Sequence, residues 1–144
     1  MAIPGISGCS VARLVLALTG LCGMTMGWAQ SIDIELNKFE SQPEACRAYM
    51  VFRNSTEQTF DAFKLDMVMF DQEGLINRRL ALDVAPLRAD KTSVKLFDIE
   101  GLPCEQINQI LINDVIECAA RGGGDPDCVT LLETSSRNAT ALIK

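Results

Sequence analysis

From Ser31 onward the chain alternates apolar and polar residues with a period of two, and turn-forming clusters interrupt the alternation about every ten residues. A period of two sends successive side chains to opposite faces of an extended backbone, whereas a helix needs apolar residues three and four apart. Ile32, Ile34 and Leu36 share one face of a predicted strand over 31–39, and Ala48, Met50 and Phe52 share one face of a second over 46–53. After the polar loop Asn54-Ser55-Thr56-Glu57-Gln58, Phe63, Leu65, Met67 and Met69 alternate with Lys64, Asp66, Val68 and Phe70. Asp71-Gln72-Glu73-Gly74 reads as a hairpin loop whose glycine takes the left-handed conformation. The return strand, 75–84, directs Ile76, Leu80, Leu82 and Val84 inward; 85–90 is a turn and 92–98 the next strand.

The register of that hairpin is predicted by pairing Phe70 with Leu75. This opposes Phe63 to Leu82, Leu65 to Leu80 and Met69 to Ile76, sets Asp66 across from Arg79, and leaves Arg78 inward but close to water. The segment 105–119 is ambiguous. Ile107, Ile110, Leu111, Val115 and Cys118 fit helical spacing, while the β-branched Ile110, Ile112, Val115 and Ile116 favour a strand buried on both faces. We read it as a strand. Gly122-Gly123-Gly124-Asp125-Pro126-Asp127 is then a turn, followed by a short strand over 128–133 and a polar tail that frays. About seven strands with polar turns imply an all-β, two-sheet antiparallel sandwich.

Composition narrows the chemistry. The 144 residues include no histidine, which removes Ser-His-Asp and Cys-His hydrolysis and every scheme based on imidazole. A formal charge of −6 argues against a nucleic-acid partner, which would be met by a basic stripe. Phosphate-binding glycine loops, G-x-S-x-G elbows and H-E-x-x-H pairs do not occur.

Residues 1–29 carry one charge, Arg13, followed by the apolar run Leu14–Cys22 and the small-x-small triplet Gly27-Trp28-Ala29. These are the three parts of a secretory signal cleaved after Ala29. The apolar stretch is far short of the roughly 20 residues that span a bilayer, so no stable membrane insertion is expected after cleavage. Without a twin arginine, the general secretory route is expected. Cys9 precedes the apolar run and Cys22 follows the bulky Leu21, so neither sits in a lipidation box.

Cleavage leaves Cys46, Cys104, Cys118 and Cys128, an even number in an exported chain. Disulfides are therefore expected, in one of three pairings. A zinc site would show short C-x2-4-C knuckles and a thioredoxin-like centre a C-x-x-C, and the sequence has neither.

Asn54-Ser55-Thr56, Phe63-x-Leu65-x-Met67-x-Met69-Phe70-Asp71-x-x-Gly74 and Val84-Ala85-Pro86-Leu87 together resemble the immunoglobulin-like domains of the FxLYD type in bacterial envelope proteins. Met69-Phe70-Asp71 stands where that type has Leu-Tyr-Asp, and the resemblance covers about residues 46–97. The chain after the leader also resembles small periplasmic proteins of alphaproteobacteria. The resemblance implies an immunoglobulin-like β-sandwich over 30–144 and transfers no active-site residue. In such a sandwich the strand starting at Cys46 and the one entered after Cys104 both run antiparallel to the central strand, which predicts Cys46–Cys104. Cys118 and Cys128 then face each other across the glycine turn.

The carboxylates Asp125/Asp127, Asp98/Glu100 and Asn113-Asp114 read as turn, surface or bulge positions; a calcium site would need about six to eight oxygens. Asn54-Ser55-Thr56 and Asn138-Ala139-Thr140 match glycosylation sequons, a pattern short enough to recur by chance. The expectation is a non-catalytic periplasmic interaction or accessory module with no cofactor and an envelope protein as partner. The alternative is a periplasmic small-ligand or metal-ion binder. On the predicted register Val68, Phe70 and Leu75 form an apolar exception on an otherwise polar outer face, a docking patch unless another segment covers it.

Overall fold

The computed structural model describes residues 30–124 and 126–144, so the leader read at 1–29 and Asp125 lie outside the described residues. The alternating segments become β1 (Ile32–Gln42), β2 (Ala45–Asn54), β3 (Phe60–Phe70), β4 (Ile76–Asp83) and β5 (Lys91–Glu100). After a single 3-10 turn at Cys104–Gln106 come β6 (Gln109–Ala120), β7 (Leu132–Ser136) and β8 (Ala141–Ile143). They form two four-stranded sheets, β5-β2-β1-β7 and β4-β3-β6-β8. The inward sets read from the alternation pack against each other between the sheets. Ile32, Ile34, Leu36, Ala48, Met50 and Phe52 from one meet Phe63, Leu65, Met67 and Met69 from the other, all fully buried. Phe60, just ahead of the predicted strand, joins them edge-on to Phe63 at 5.5 Å between ring centroids. This is an all-β sandwich stapled by disulfides.

From Gln109 onward the segment 105–119 is a strand, with Glu105 and Gln106 in the 3-10 turn before it, and its helical spacing has a physical cause. β6 pairs with β3 as Met67↔Ile112, Asp66↔Asp114, Leu65↔Val115, Lys64↔Glu117 and Phe63↔Cys118, so Asn113 and Ile116 are extra residues without a partner. Each bulge lengthens one inward step from two residues to three. The inward positions then fall at 110, 112, 115 and 118, which imitates a helix. Asn113-Asp114, read as an exposed position or a bulge, is at a bulge.

Three expectations are corrected. The sandwich is not purely antiparallel: β1 pairs in parallel with β7, and β6 with β8. Cys128 opens no hairpin strand. Residues 128–130 form a turn, and the chain crosses to the other sheet, where β7 begins at Leu132. Nor does the tail fray. Its polar side chains are used internally, Thr140 Oγ1 donating to the Ile107 carbonyl at 2.8 Å and Ser136 Oγ to the Thr140 carbonyl at 2.6 Å, while Leu142 fills the core.

The hairpin register also differs, by two residues over most of its length. Phe70 faces Ile76, Asn77 is bulged out, and the pairs Met69↔Arg78, Met67↔Leu80 and Leu65↔Leu82 follow. A slip of two preserves the faces, so the apolar set stays inside. The loop is one residue longer than read, with the Asp71 N–H donating to the Leu75 carbonyl at 2.9 Å and Gly74 at φ +80°. Asp71 Oδ1 accepts from the backbone N–H groups of Glu73 and Leu75, which fixes the turn.

Both disulfides tie a strand to a crossover between sheets. Cys46 on β2 is bonded to Cys104 in the β5–β6 connection, and Cys118 on β6 to Cys128 in the β6–β7 connection, as paired from the sequence. Restricting the unfolded chain over separations of 58 and 10 residues is worth about 4 and about 3 kcal/mol on the loop-entropy account. A third tie is polar. Asn54 is buried at the end of β2, and its Nδ2 donates to the carbonyls of Gln58 at 2.8 Å, Arg88 at 3.1 Å and Leu87 at 3.3 Å. Its Oδ1 accepts from the Thr56 N–H and hydroxyl. The Asn54-Ser55-Thr56 loop is thus partly core, and this sequon asparagine is an internal staple with its amide consumed.

β4 and β5 are free edges on the same flank, with Leu80, Leu82 and Phe97 half-buried between them in a groove of about 300 Å³. Each edge carries an inward-facing cation: Arg78 opposite Met69 on β4, and Lys95 opposite Met50 on β5. Arg78 reaches Gly101, where an added Cβ would stand 3.0 Å from its guanidinium, and Lys95 Nζ donates to the Ala85 carbonyl at 3.4 Å. Inward charges on edge strands oppose pairing with another chain, because a docked strand would desolvate them.

Two outcomes test these ties. Asn54→Ala should lower unfolding free energy in urea by about 3 kcal/mol by removing the side-chain hydrogen bonds that join the end of β2 to two loops, and Asn54→Asp should cost more, since a carboxylate would face three carbonyl oxygens. Replacing Arg78 and Lys95 together by valine should leave the far-ultraviolet circular dichroism unchanged but raise concentration-dependent self-association in analytical ultracentrifugation. Unchanged association would show that these cations do not guard the edge.

Candidate functional site

Sheet register decides which side chains meet on the outer face of β4-β3-β6-β8. Read across the strands, the row at the hairpin-tip end is Ile76, Phe70, Gln109 and Ala141, and the next is Arg79, Val68, Leu111 and Ile143. The two rows beyond carry charge, Asp66 and Asp114 beside Ala81, then Asp83, Lys64 and Glu117, with an ion pair between Lys64 and Glu117. One half of the face is therefore apolar and the other ionic.

Of the sequence-predicted docking residues, Val68 and Phe70 lie in the two apolar rows, while Leu75 is in the hairpin loop next to Ile76 and has no strand partner. Leu75 is 65% exposed, Phe70 is half-buried, and Val68, flanked by Arg79 and Leu111, is only 6% exposed. Ile76, read as inward, is 67% exposed on the same face as Phe70 because the Asn77 bulge changes its parity. Ile143 and Leu111 complete the patch. Ile143 escaped the sequence reading because a three-residue strand in a polar tail carries no periodic signal. The opposite face of the molecule has a smaller apolar group, Val94 and Leu96 at 56% and 52% exposed beside the half-buried Val51 and Tyr49. Lys38 Nζ lies 4.4 Å above the Tyr49 ring, and the Tyr49 hydroxyl donates to Glu40 at 3.0 Å, which helps hold that carboxyl below its ordinary range.

Asp66 anchors the boundary between the apolar and ionic halves. It is buried although it sits on the outer face. Arg79, one register step away rather than directly opposite, donates from Nε at 2.8 Å and Nη2 at 2.7 Å to its two oxygens. The bulged Asn113 adds its amide at 2.7 Å. Hydrogen bonds from Arg79, then from Asn113, hold the Asp66 carboxyl below the usual carboxylate range against the opposing effect of burial. The pairing of Asp66 with Arg79 survives the register slip because the guanidinium spans the diagonal.

Of the other carboxylates singled out from the sequence, Asp98 and Asp127 are spent locally. Asp98 forms a two-bond pair with Arg47 at 2.8 and 3.0 Å, and Asp127 caps the turn through Thr130. Glu100 lines the rim of a groove, with Glu44 and Glu105, beside the Cys46–Cys104 bridge. Among the described residues there is no group of three or more His, Cys, Asp or Glu side chains that could hold a metal ion, and no helix long and apolar enough to cross a membrane.

The Asp66 cluster makes a pH prediction. A folded-state pKa below the unfolded value of about 4 stabilises the fold above that value and ceases to do so as pH falls through the folded value. Asp66→Asn should therefore destabilise the protein more at pH 7 than at pH 3, measured as the difference in urea midpoint from the parent chain. An equal loss at both pH values would mean that the carboxylate charge contributes nothing.

No protein-family model matches the chain, and no curated protein sequence does. Among solved structures the fold is similar to that of IrmA from Escherichia coli, at a TM-score of 0.54 and 13% identity, over 72% of this chain and 90% of that one. At that identity the likeness concerns the fold alone.

Proposed function

We propose that the protein is a non-catalytic interaction or accessory module of the bacterial cell envelope, exported to the periplasm by the general secretory route. It docks an envelope protein through the apolar half of the β4-β3-β6-β8 face. The observation that carries this reading is the two-thirds exposed Ile76, paired with Phe70, one row from Leu111 and Ile143 and bordered by Asp66 and Arg79, with the exposed Leu75 next to it in the hairpin loop. Contiguous apolar surface rimmed by charge characterises contact surfaces. Inward cations on β4 and β5 disfavour strand addition, so the faces are the better surfaces for a partner. Two disulfides fit an oxidising compartment, and the leader at 1–29 and the resemblance to FxLYD-type domains support the envelope assignment.

The test is site-specific photocrosslinking in intact cells with the photoreactive residue at position 75, 76, 94 or 96. Positions 75 and 76 should give discrete adducts that disappear on Ile143→Asp, with unfolding free energy changed by no more than about 0.5 kcal/mol. Adducts at 94 and 96 alone would move the docking site to the other sheet. No adduct at any of the four would remove the docking reading.

A further inference from the structure

Gln30, the first described residue, has a side chain whose chemistry depends on whether its own backbone nitrogen is a peptide amide or a free amine. We propose that Gln30 becomes the amino terminus of the exported protein and closes on itself to form pyroglutamate, making position 30 a modification site. The inference rests on the cleavage after Ala29 in the reading above and adds a covalent event to it.

The reaction needs no co-reactant. Once cleavage frees the α-amino group, its nitrogen attacks the Gln30 side-chain carbonyl carbon, Cδ. A bond forms between that nitrogen and Cδ, the Cδ–Nε2 bond breaks, and ammonia leaves with the proton given up by the amine. The product is a five-membered lactam with no basic nitrogen. Geometry decides whether the side chain can fold back on its own amine, and here nothing opposes it. Gln30 is exposed and makes no hydrogen bond among the described residues. Anchoring begins one residue later: the Ser31 carbonyl accepts from the Ser55 N–H at 2.9 Å, and the Ile32 N–H donates to the Leu131 carbonyl at 2.7 Å. The fold thus holds the chain firmly from the Ser31 carbonyl onward. Before it, Gln30 keeps the freedom that ring closure requires, and closure disturbs no bond of the sandwich.

The surroundings favour the neutral product. Gln30 lines a groove of about 520 Å³ together with Arg53, Glu57, Asp90 and Lys91. Two cations and two carboxylates sum to zero there, none of the four in an ion pair among the described residues. An α-ammonium would add an uncompensated positive charge to that set, and the lactam removes it. The consequence is an amino terminus closed to aminopeptidases and to amine-directed reagents, at the end of the strand that pairs with both β2 and β7.

The experiment is intact-mass analysis of the full gene product, expressed with its own leader, freshly released from the bacterial envelope and reduced before measurement. A Gln30→Ser variant, which cannot cyclise, is run beside it. The expected result is the mass of residues 30–144 less one ammonia, with no terminal amine detected by sequential degradation until the lactam is removed with pyroglutamyl aminopeptidase. The variant should show the full mass of 30–144 and degrade from its first residue. The mass of 30–144 with a free glutamine amine would overturn the lactam and leave the cleavage reading intact. A chain that retains the first 29 residues, or begins elsewhere, would overturn both.

Discussion

A β-strand offers its side chains only two directions, and the parity of each strand is the constraint on which the rest of this molecule depends. Because one face of each sheet is buried, an apolar residue displaced by one position would leave the core and a polar one would enter it. β1, β2 and β3 keep their inward apolar sets in step: Ile32, Ile34, Leu36; Ala48, Met50, Phe52; Phe63, Leu65, Met67, Met69. Where the sequence departs from strict alternation, the backbone inserts a residue rather than surrender the inner face. Asn113 and Ile116 on β6 and Asn77 on β4 are such residues.

Those insertions also shape the surface. The Asn77 bulge turns Ile76 outward and so enlarges the apolar half of the sheet face. The Asn113 bulge brings an amide to Asp66, so a carboxylate that would be costly to bury is met by three hydrogen bonds at the border of that patch. The boundary between apolar and ionic surface is therefore fixed by backbone irregularities, and its charged side is held in place rather than free to cover the patch.

The crossings between sheets are secured by different means at the two ends. The end that holds the β1–β2 turn has the Cys46–Cys104 bridge, and the Gly101 N–H donates to the Glu44 carbonyl at 2.8 Å nearby. The end where β2 gives way to β3 has Asn54, which gathers three carbonyls from two loops. The long crossover from β6 to β7 is shortened by Cys118–Cys128. With these ties the chain can place β7 beside β1 and β8 beside β6 in parallel, which a sequence of hairpins could not produce.

The sequence alone determined the all-β class, the inward faces of the first three strands, the turn at Gly74 and the presence of disulfides among four cysteines, whose pairing was expected from the resemblance to a sandwich. Each of these four follows from a local rule: side-chain alternation, the conformational freedom of glycine, or an even number of thiols in an exported chain. It placed Val68 and Phe70 on the outer face by the same alternation, while Leu75, read as the partner of Phe70, lies in the hairpin loop. Only the tertiary structure decided the exact hairpin partners, the outward turn of Ile76, the burial of Val68 and the role of the last ten residues. A two-residue slip leaves every face unchanged, so alternation cannot detect it. A bulge reverses parity with no compositional mark, and the three residues of β8 are too few to carry a period. Asn54 likewise looked like any loop asparagine, because the carbonyls that occupy it come from residues four and more than thirty positions away.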